Sequence, residues 1–236
     1  LITGLREKIP ALQLVIVATG REAEDLERDI RFLEPSSEVL LFPSWETLPH
    51  ERLSPSPETV GQRLQTISRL SQIAKDQPKN PVYLIVSIRA AIQPLVAGLD
   101  KFPPLELTAK KEYLLPELSL KLVEQAYQRV DMVSKRGEFA VRGGILDIFP
   151  TTAEHAVRLE FFGDELEEIR EFSVSDQRSS TVKLESLTLF PARELIITPP
   201  VASRAREMMH EFPNLGAMLE KISLGIPVEG MESLAP

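Results

Sequence analysis

The residues best suited to chemistry lie between Glu138 and Phe172. The run Ala156 to Phe162 reads Ala-Val-Arg-Leu-Glu-Phe-Phe. In a strand, residues two apart share a face. Val157, Leu159 and Phe161 therefore point to one side, and Arg158, Glu160 and Phe162 to the other. Glu138 to Arg142 behaves alike, with Phe139 and Val141 inward and Ala140 and Arg142 outward. One face of a small sheet then carries Arg142, Arg158 and a large aromatic, Phe162. Arginine and aromatic residues are enriched among interface anchors. The guanidinium fork suits a partner's carboxylate, and exposed apolar area marks contact sites. This is the chemistry of gripping another protein rather than of breaking bonds. A second placement stays open: Phe162 tucks under the 104–136 segment, and Arg158 and Glu160 are an ordinary surface set. A bulge in the imperfectly alternating strand that starts Glu165-Leu166-Glu167-Glu168-Ile169 would also change which residues face out.

The elements that position these residues are short. Glu138 to Arg142, Ile145 to Phe149, Ala156 to Phe162 and Glu165 to Phe172 read as four alternating strands. Gly143-Gly144 and Gly163-Asp164 sit between strand pairs as hairpin turns. Leu118 to Tyr127 reads as a helix ahead of them. Together they describe an antiparallel α+β domain over 104–193, ended by Phe190-Pro191.

The preceding hundred residues have another rhythm. Leu12 to Ala18, Glu38 to Phe42 and Pro81 to Ser87 are short apolar runs, as in strands buried on both faces. Between them Arg21 to Leu33 and Pro57 to Lys75 carry apolar residues at helical spacing. This predicts a parallel three-layer α/β unit over 1–103. After Thr198-Pro199-Pro200, Val201 to Leu224 reads as helix in two pieces split at Pro213, and 194–236 as the start of a further domain. The first residues, Leu1-Ile2-Thr3-Gly4-Leu5, and the last suggest a piece of a longer protein.

Other chemistry finds little support. A phosphate-binding loop of the G-x-x-x-x-G-K-[ST] type is not present. Its nearest counterpart, Thr19-Gly20-Arg21-Glu22, has no lysine and puts an acid where phosphate would sit. His50, His155 and His210 are far apart and lack metal-ligand spacing. No serine lies in a G-x-S-x-G elbow. The pair Glu167-Glu168 reads as a solvated face. The expectation is a non-catalytic chain with no metal and no cofactor of its own.

Of the 236 residues, 43% are hydrophobic and 26% charged, none is cysteine, and the net charge is −8. Thiolate metal sites and disulfides are thereby excluded. An acidic balance argues against a dedicated nucleic-acid binder, which needs a basic field, and favours a partner protein. No apolar run approaches the roughly 20 residues of a membrane helix, and a cytoplasmic setting is expected.

Several long motifs resemble the transcription-repair coupling factors (Mfd proteins). They are Phe42-Pro43-Ser44-Trp45-Glu46-Thr47-Leu48-Pro49 with Ser54-Pro55 and Gln62-Arg63-Leu64, the run Arg136 to Pro150, and Arg158 to Glu165 with Ile169-Arg170 and Phe172. The R-G-x-F-x-x-R-G-x-x-x-D-x-F-P and R-x-E-x-F-G-D-E patterns are shared with the excision-repair helicase UvrB. Phe172 to Ser179 and the P-x-W-E-x-L-P run favour the coupling factors.

The resemblance implies a degenerate helicase-like α/β domain with an inserted UvrA-binding α+β domain. Matched position by position, the family's contact residues fall on Arg142, Arg158 and Phe162. It implies a non-catalytic adaptor that recruits UvrA in transcription-coupled nucleotide excision repair. The parent would be an ATP-dependent DNA translocase that binds double-stranded DNA and displaces stalled RNA polymerase, with ATP and Mg held in its motor domains. Its carboxy-terminal domain would cover the UvrA-binding face at rest. The alternative is a UvrB-type helicase fragment that handles ATP or damaged DNA.

Overall fold

The structure, a computed structural model, describes residues 12–48, 51–76, 78, 80–99 and 103–234. His50, Pro49 of the motif above and the first residues of the chain lie outside them. The chain divides into two compact units, one of residues 1–46 and 62–103, the other of residues 47–61 and 104–236. The stretch 47–61, which the sequence pattern put with the first domain, and the stretch 194–236 both group with the second unit.

The first unit is a mixed α/β layer structure. Its elements are β1 (Leu12–Val17), α1 (Gly20–Leu33), β2 (Glu38–Phe42), α2 (Pro57–Ile73, grouped here from Gln62 on), β3 (Val82–Ser87) and α3 (Ile88–Ile92). All strand pairs are parallel, in the order β1-β3-β2. On one face Ala23 and Ile30 of α1 pack on Val39, Tyr83 and Ile85. On the other, Ile67 of α2 and Ala90 of α3 meet Phe42, Leu84 and Val86. The central strand β3 is buried on both sides, as its apolar run predicts. β1 is not. Leu12, Leu14 and Ile16 are exposed along one face, because β1 is an edge strand and α1 covers only its Val15–Val17 side. An apolar run reports that a strand is hydrophobic, not how much of the sheet a helix covers.

The Phe-Pro-Ser-Trp motif has a physical role here. Arg63, fully buried, places its guanidinium 4.1 Å from the centroid of the Phe42 ring and 5.5 Å from that of Trp45. It also donates to the Pro43 carbonyl at 2.8 Å. A weakly hydrated, planar cation stacked on aromatic faces tolerates such burial better than an ammonium.

The second unit holds the hairpin sheet. Its elements are β4 (Leu105–Thr108), α4 (Leu115–Glu124), β5 (Gln128–Arg129), β6 (Glu138–Arg142), β7 (Ile145–Ile148), β8 (Ala156–Phe162), β9 (Glu165–Phe172), β10 (Ser179–Leu184), β11 (Ser186–Leu189), α5 (Pro199–Glu211) and α6 (Gly216–Ser223). Six strands run in the order β10-β9-β8-β7-β6-β5, antiparallel except for β5 with β6. β4 and β11 pair separately. The turns predicted at Gly143 and Gly163 are present, with φ of +59° and +61° that only glycine adopts freely. A short helical turn, Pro213–Leu215, separates α5 from α6 at the expected proline.

The main core lies on one side of this sheet. Phe139, Leu146, Ile148, Val157, Leu159, Leu166 and Ile169 meet Leu118 and Leu122 of α4 and Leu187 and Leu189 of β11. Tyr127 joins them and donates its hydroxyl to the Phe190 carbonyl at 2.9 Å. Burial pushes this phenol up to about 12. The ionised form is thus disfavoured in the fold, so stability is intact below about pH 10 and falls as pH climbs towards about 12. An ultraviolet titration should show a tyrosinate component rising near pH 12, and Tyr127→Phe should reduce that component by one tyrosine.

Candidate protein-docking face

The opposite side of the six-stranded sheet presents Arg142, Arg158 and Phe162 on one face. The cross-strand register aligns Ala140, Asp147, Arg158 and Arg170 in one row, and Arg142, Ile145, Glu160 and Glu168 in the next. Phe162 follows one step further along β8, beside the turn at Gly163. Strands about 4.8 Å apart and about 3.4 Å per residue put the three residues within a patch of about 10 by 14 Å.

A bulge does occur, between the pairs Glu160–Glu168 and Phe161–Leu166. The extra residue is in β9, so β8 alternates undisturbed. Phe161 packs against the main core, and Phe162 stands 78% exposed. The placement that hides Phe162 under the 104–136 segment is therefore not the one adopted. Glu168, beside the bulge, binds Arg170 and, at 2.7 Å, Lys183. These two cations draw the Glu168 carboxyl below its ordinary value.

The face is not uniformly open. Ala140, expected to point to solvent, is buried in a second small core with Val133, Phe149, Ala156 and Phe172, flanked by Val130 and Val174. Two connecting segments cover this end of the sheet. Gln177 ties them together by donating to the carbonyls of Val133 at 3.2 Å and Val174 at 2.9 Å. Strand alternation says which residues share a face but not which loops return over it, and this is why Ala140 was misplaced.

Arg158 marks the boundary between the covered and open ends. Its Nε and Nη2 donate to the two oxygens of Asp147 at 2.7 and 2.9 Å, a bidentate pair across β7 and β8. Its Nη1 reaches Ser179 Oγ at 3.3 Å, and its guanidinium lies 5.1 Å from the Phe172 ring centroid. The side chains of Arg158 and Asp147 are only 17% and 7% exposed. Hydrogen bonding to Asp147 raises the Arg158 value further. Arg142, in contrast, is exposed and donates to the Asp131 carbonyl, and among the described residues no carboxylate pairs with it. Ile145, at 37% exposure, lies in the Arg142 row and diagonal to Phe162. Sequence reading missed it and Asp147. The signal for both was present, because the alternation that turns Leu146 and Ile148 inward turns Ile145 and Asp147 outward.

The remaining sequence candidates stay apart. His155 and His210 are exposed in separate segments, and among the described residues no cluster of His, Asp and Glu is suited to a metal. At the α1 start, Thr19 Oγ1 accepts from the Glu22 N–H at 3.2 Å, and Glu22 reaches back to the Ala18 N–H at 3.2 Å. This is a variant of the capping box, with the return bond made to the N–H one residue ahead of the N-cap. Glu22 thus fills the helix N-terminus where an anion would bind. Among the described residues no helix is long and apolar enough to cross a membrane.

Residues 105–195, which contain the six-stranded sheet and the face just described, match the UvrB interaction domain family. This part of the chain is an interaction domain of that class. Over 233 residues, 94% of this chain and 19% of the relative, the sequence is 47% identical to the transcription-repair-coupling factor of Mycobacterium tuberculosis (strain CDC 1551 / Oshkosh). It is 36% identical to that of Bacillus subtilis (strain 168), covering 85% of this chain and 16% of the relative. The counterpart in Escherichia coli (strain K12) is 32% identical, covering 73% and 15%. The chain belongs to the transcription-repair-coupling factor family and spans about a fifth of the length of the curated relatives it matches.

The Asp147–Arg158 pair should be a stability determinant in its own right. Removing one partner leaves a mostly buried charge uncompensated. Asp147→Ala is expected to cost about 3 kcal/mol, read as a lower urea midpoint, whereas Arg142→Ala at the exposed site should change it by less than about 0.5 kcal/mol.

Proposed function

We propose that this chain is a non-catalytic docking module that recruits UvrA in transcription-coupled nucleotide excision repair. Its seat is the 104–193 domain, inserted in a degenerate helicase-like α/β domain represented by the first unit, with 194–236 beginning a further domain. The observation that carries the proposal is Phe162. It stands 78% exposed on a rigid β-strand, with Ile145 diagonal to it and Arg142 two strands away. What distinguishes this aromatic is its company, since an aromatic grouped with an exposed aliphatic and an arginine has the composition of an interface anchor. The match of residues 105–195 to a family described as an interaction domain supports a docking role for this domain.

The rest follows from kinship. The parent protein is an ATP-dependent DNA translocase that acts in the cytoplasm, binds double-stranded DNA, and displaces stalled RNA polymerase. ATP and Mg belong to motor domains elsewhere in the parent. Glu22 at the α1 N-terminus supports the absence of nucleotide chemistry in this stretch. At rest the parent's carboxy-terminal domain covers the docking face, so that UvrA and that domain compete for it.

The test is isothermal calorimetry of purified UvrA with the full 236-residue chain. Phe162→Ala is expected to weaken binding about 30-fold, equivalent to about 2 kcal/mol, with the thermal midpoint unchanged. Arg142→Ala should weaken it less. Equal binding by wild type and Phe162→Ala would reject the proposal.

A further inference from the structure

The two arginines of the face differ in chemistry despite their shared residue type. Arg158 has a carboxylate on two of its three nitrogens, an aromatic ring beneath it, and most of its surface buried. Its charge is matched before any partner arrives. Arg142 is exposed, and its one described bond goes to a neutral carbonyl. Nearby, Glu168 bridges Arg170 and Lys183, so each of those cations shares a carboxylate that Arg142 lacks. Glu160 lies in the Arg142 row, with Ile145 of β7 between them.

From this we infer that the arginines divide the work of recognition. Arg142 is the cation that meets a carboxylate on the partner. Asp147 is a positioning residue that turns Arg158 into a rigid, charge-neutral donor plate facing an uncharged acceptor, such as a carbonyl or amide. The partner surface that fits has a carboxylate opposite Arg142, an apolar hollow for Phe162 and Ile145, and a neutral polar rim opposite Arg158. The inference rests on the docking reading above and specifies the chemistry of its partner.

Salt separates the two roles, because ionic strength screens exposed unpaired charges and leaves a mostly buried neutralised pair almost untouched. Binding of purified UvrA to the full chain is measured from 50 mM to about 500 mM NaCl, a range over which the screening length shortens about threefold. Wild-type affinity is expected to fall as salt rises, and Arg142→Gln to flatten that fall. The double variant Arg158→Gln/Asp147→Asn removes both charges together and keeps the site neutral. It should weaken binding about tenfold at every salt concentration with the wild-type slope. Asp147→Asn alone uncovers the Arg158 charge and should steepen the slope, a change that loss of structure would not produce. A double variant as flat as Arg142→Gln would overturn the division of labour, as would an Asp147→Asn slope equal to wild type. If the single variant fails to fold, the slope of the double variant decides. Phe162→Ala is measured in parallel. Should it bind as wild type does, the docking reading itself fails; should it bind weakly while the slopes disagree, only the present inference fails.

Discussion

The bidentate pair between Asp147 and Arg158 organises the face on which the functional reading depends. It sits where the second small core ends and the open patch begins, with Phe172 under the guanidinium and Asp147 on the neighbouring strand. Behind it, Ala140, Ala156 and Phe172 are sealed by returning segments. Ahead of it, Arg142, Ile145 and Phe162 stand in solvent. An apolar pair of the same shape would hold the strands together as well or better. The charged pair adds fixed donor directions at a rim that is half wet, where a simple apolar side chain would merely be greasy.

The domain uses its two sheet faces for separate purposes. The inner face is continuous with α4 and β11 and supplies the bulk of the apolar burial. The outer face has only a small core at one end. Residues at its open end can change with little consequence for folding, because the inner face already carries the stabilisation. Such a scaffold keeps an exposed aromatic from collapsing inward: Phe161, its neighbour, has taken the inward place.

Much of this was legible in the sequence for a plain reason. Period-two alternation is a local property, so Phe139, Val157 and Leu159 inward and Arg158, Glu160 and Phe162 outward could be read off directly. The glycine turns were equally local. What failed was non-local. Whether Ala140 meets water depends on residues 130–133 and 173–178 folding back over it. Whether Arg158 is a free charge depends on Asp147, a residue on another strand. The exposure of Leu12, Leu14 and Ile16 depends on which edge of the sheet a helix covers. β10, β11 and β4 were missed because they are mostly polar or mixed. The motif residues Phe42, Trp45 and Arg63 were recognisable as a pattern long before their mutual stacking gave that pattern a cause.

The bulge in β9 has a bearing on how such a domain tolerates change in length. Because Leu166 and Ile169 both face inward with Glu167 and Glu168 between them, the strand carries one residue more than its partner at that point. Loss of one glutamate would make the ladder regular and leave Leu166 opposite Phe161 on the core side, whereas one residue added to β9 away from the bulge would turn the residues beyond it to the wrong side. Insertions in the loops at 150–155 or 173–178 leave the strand phases alone. Length variation among kindred domains should therefore collect in those loops and at the bulge itself.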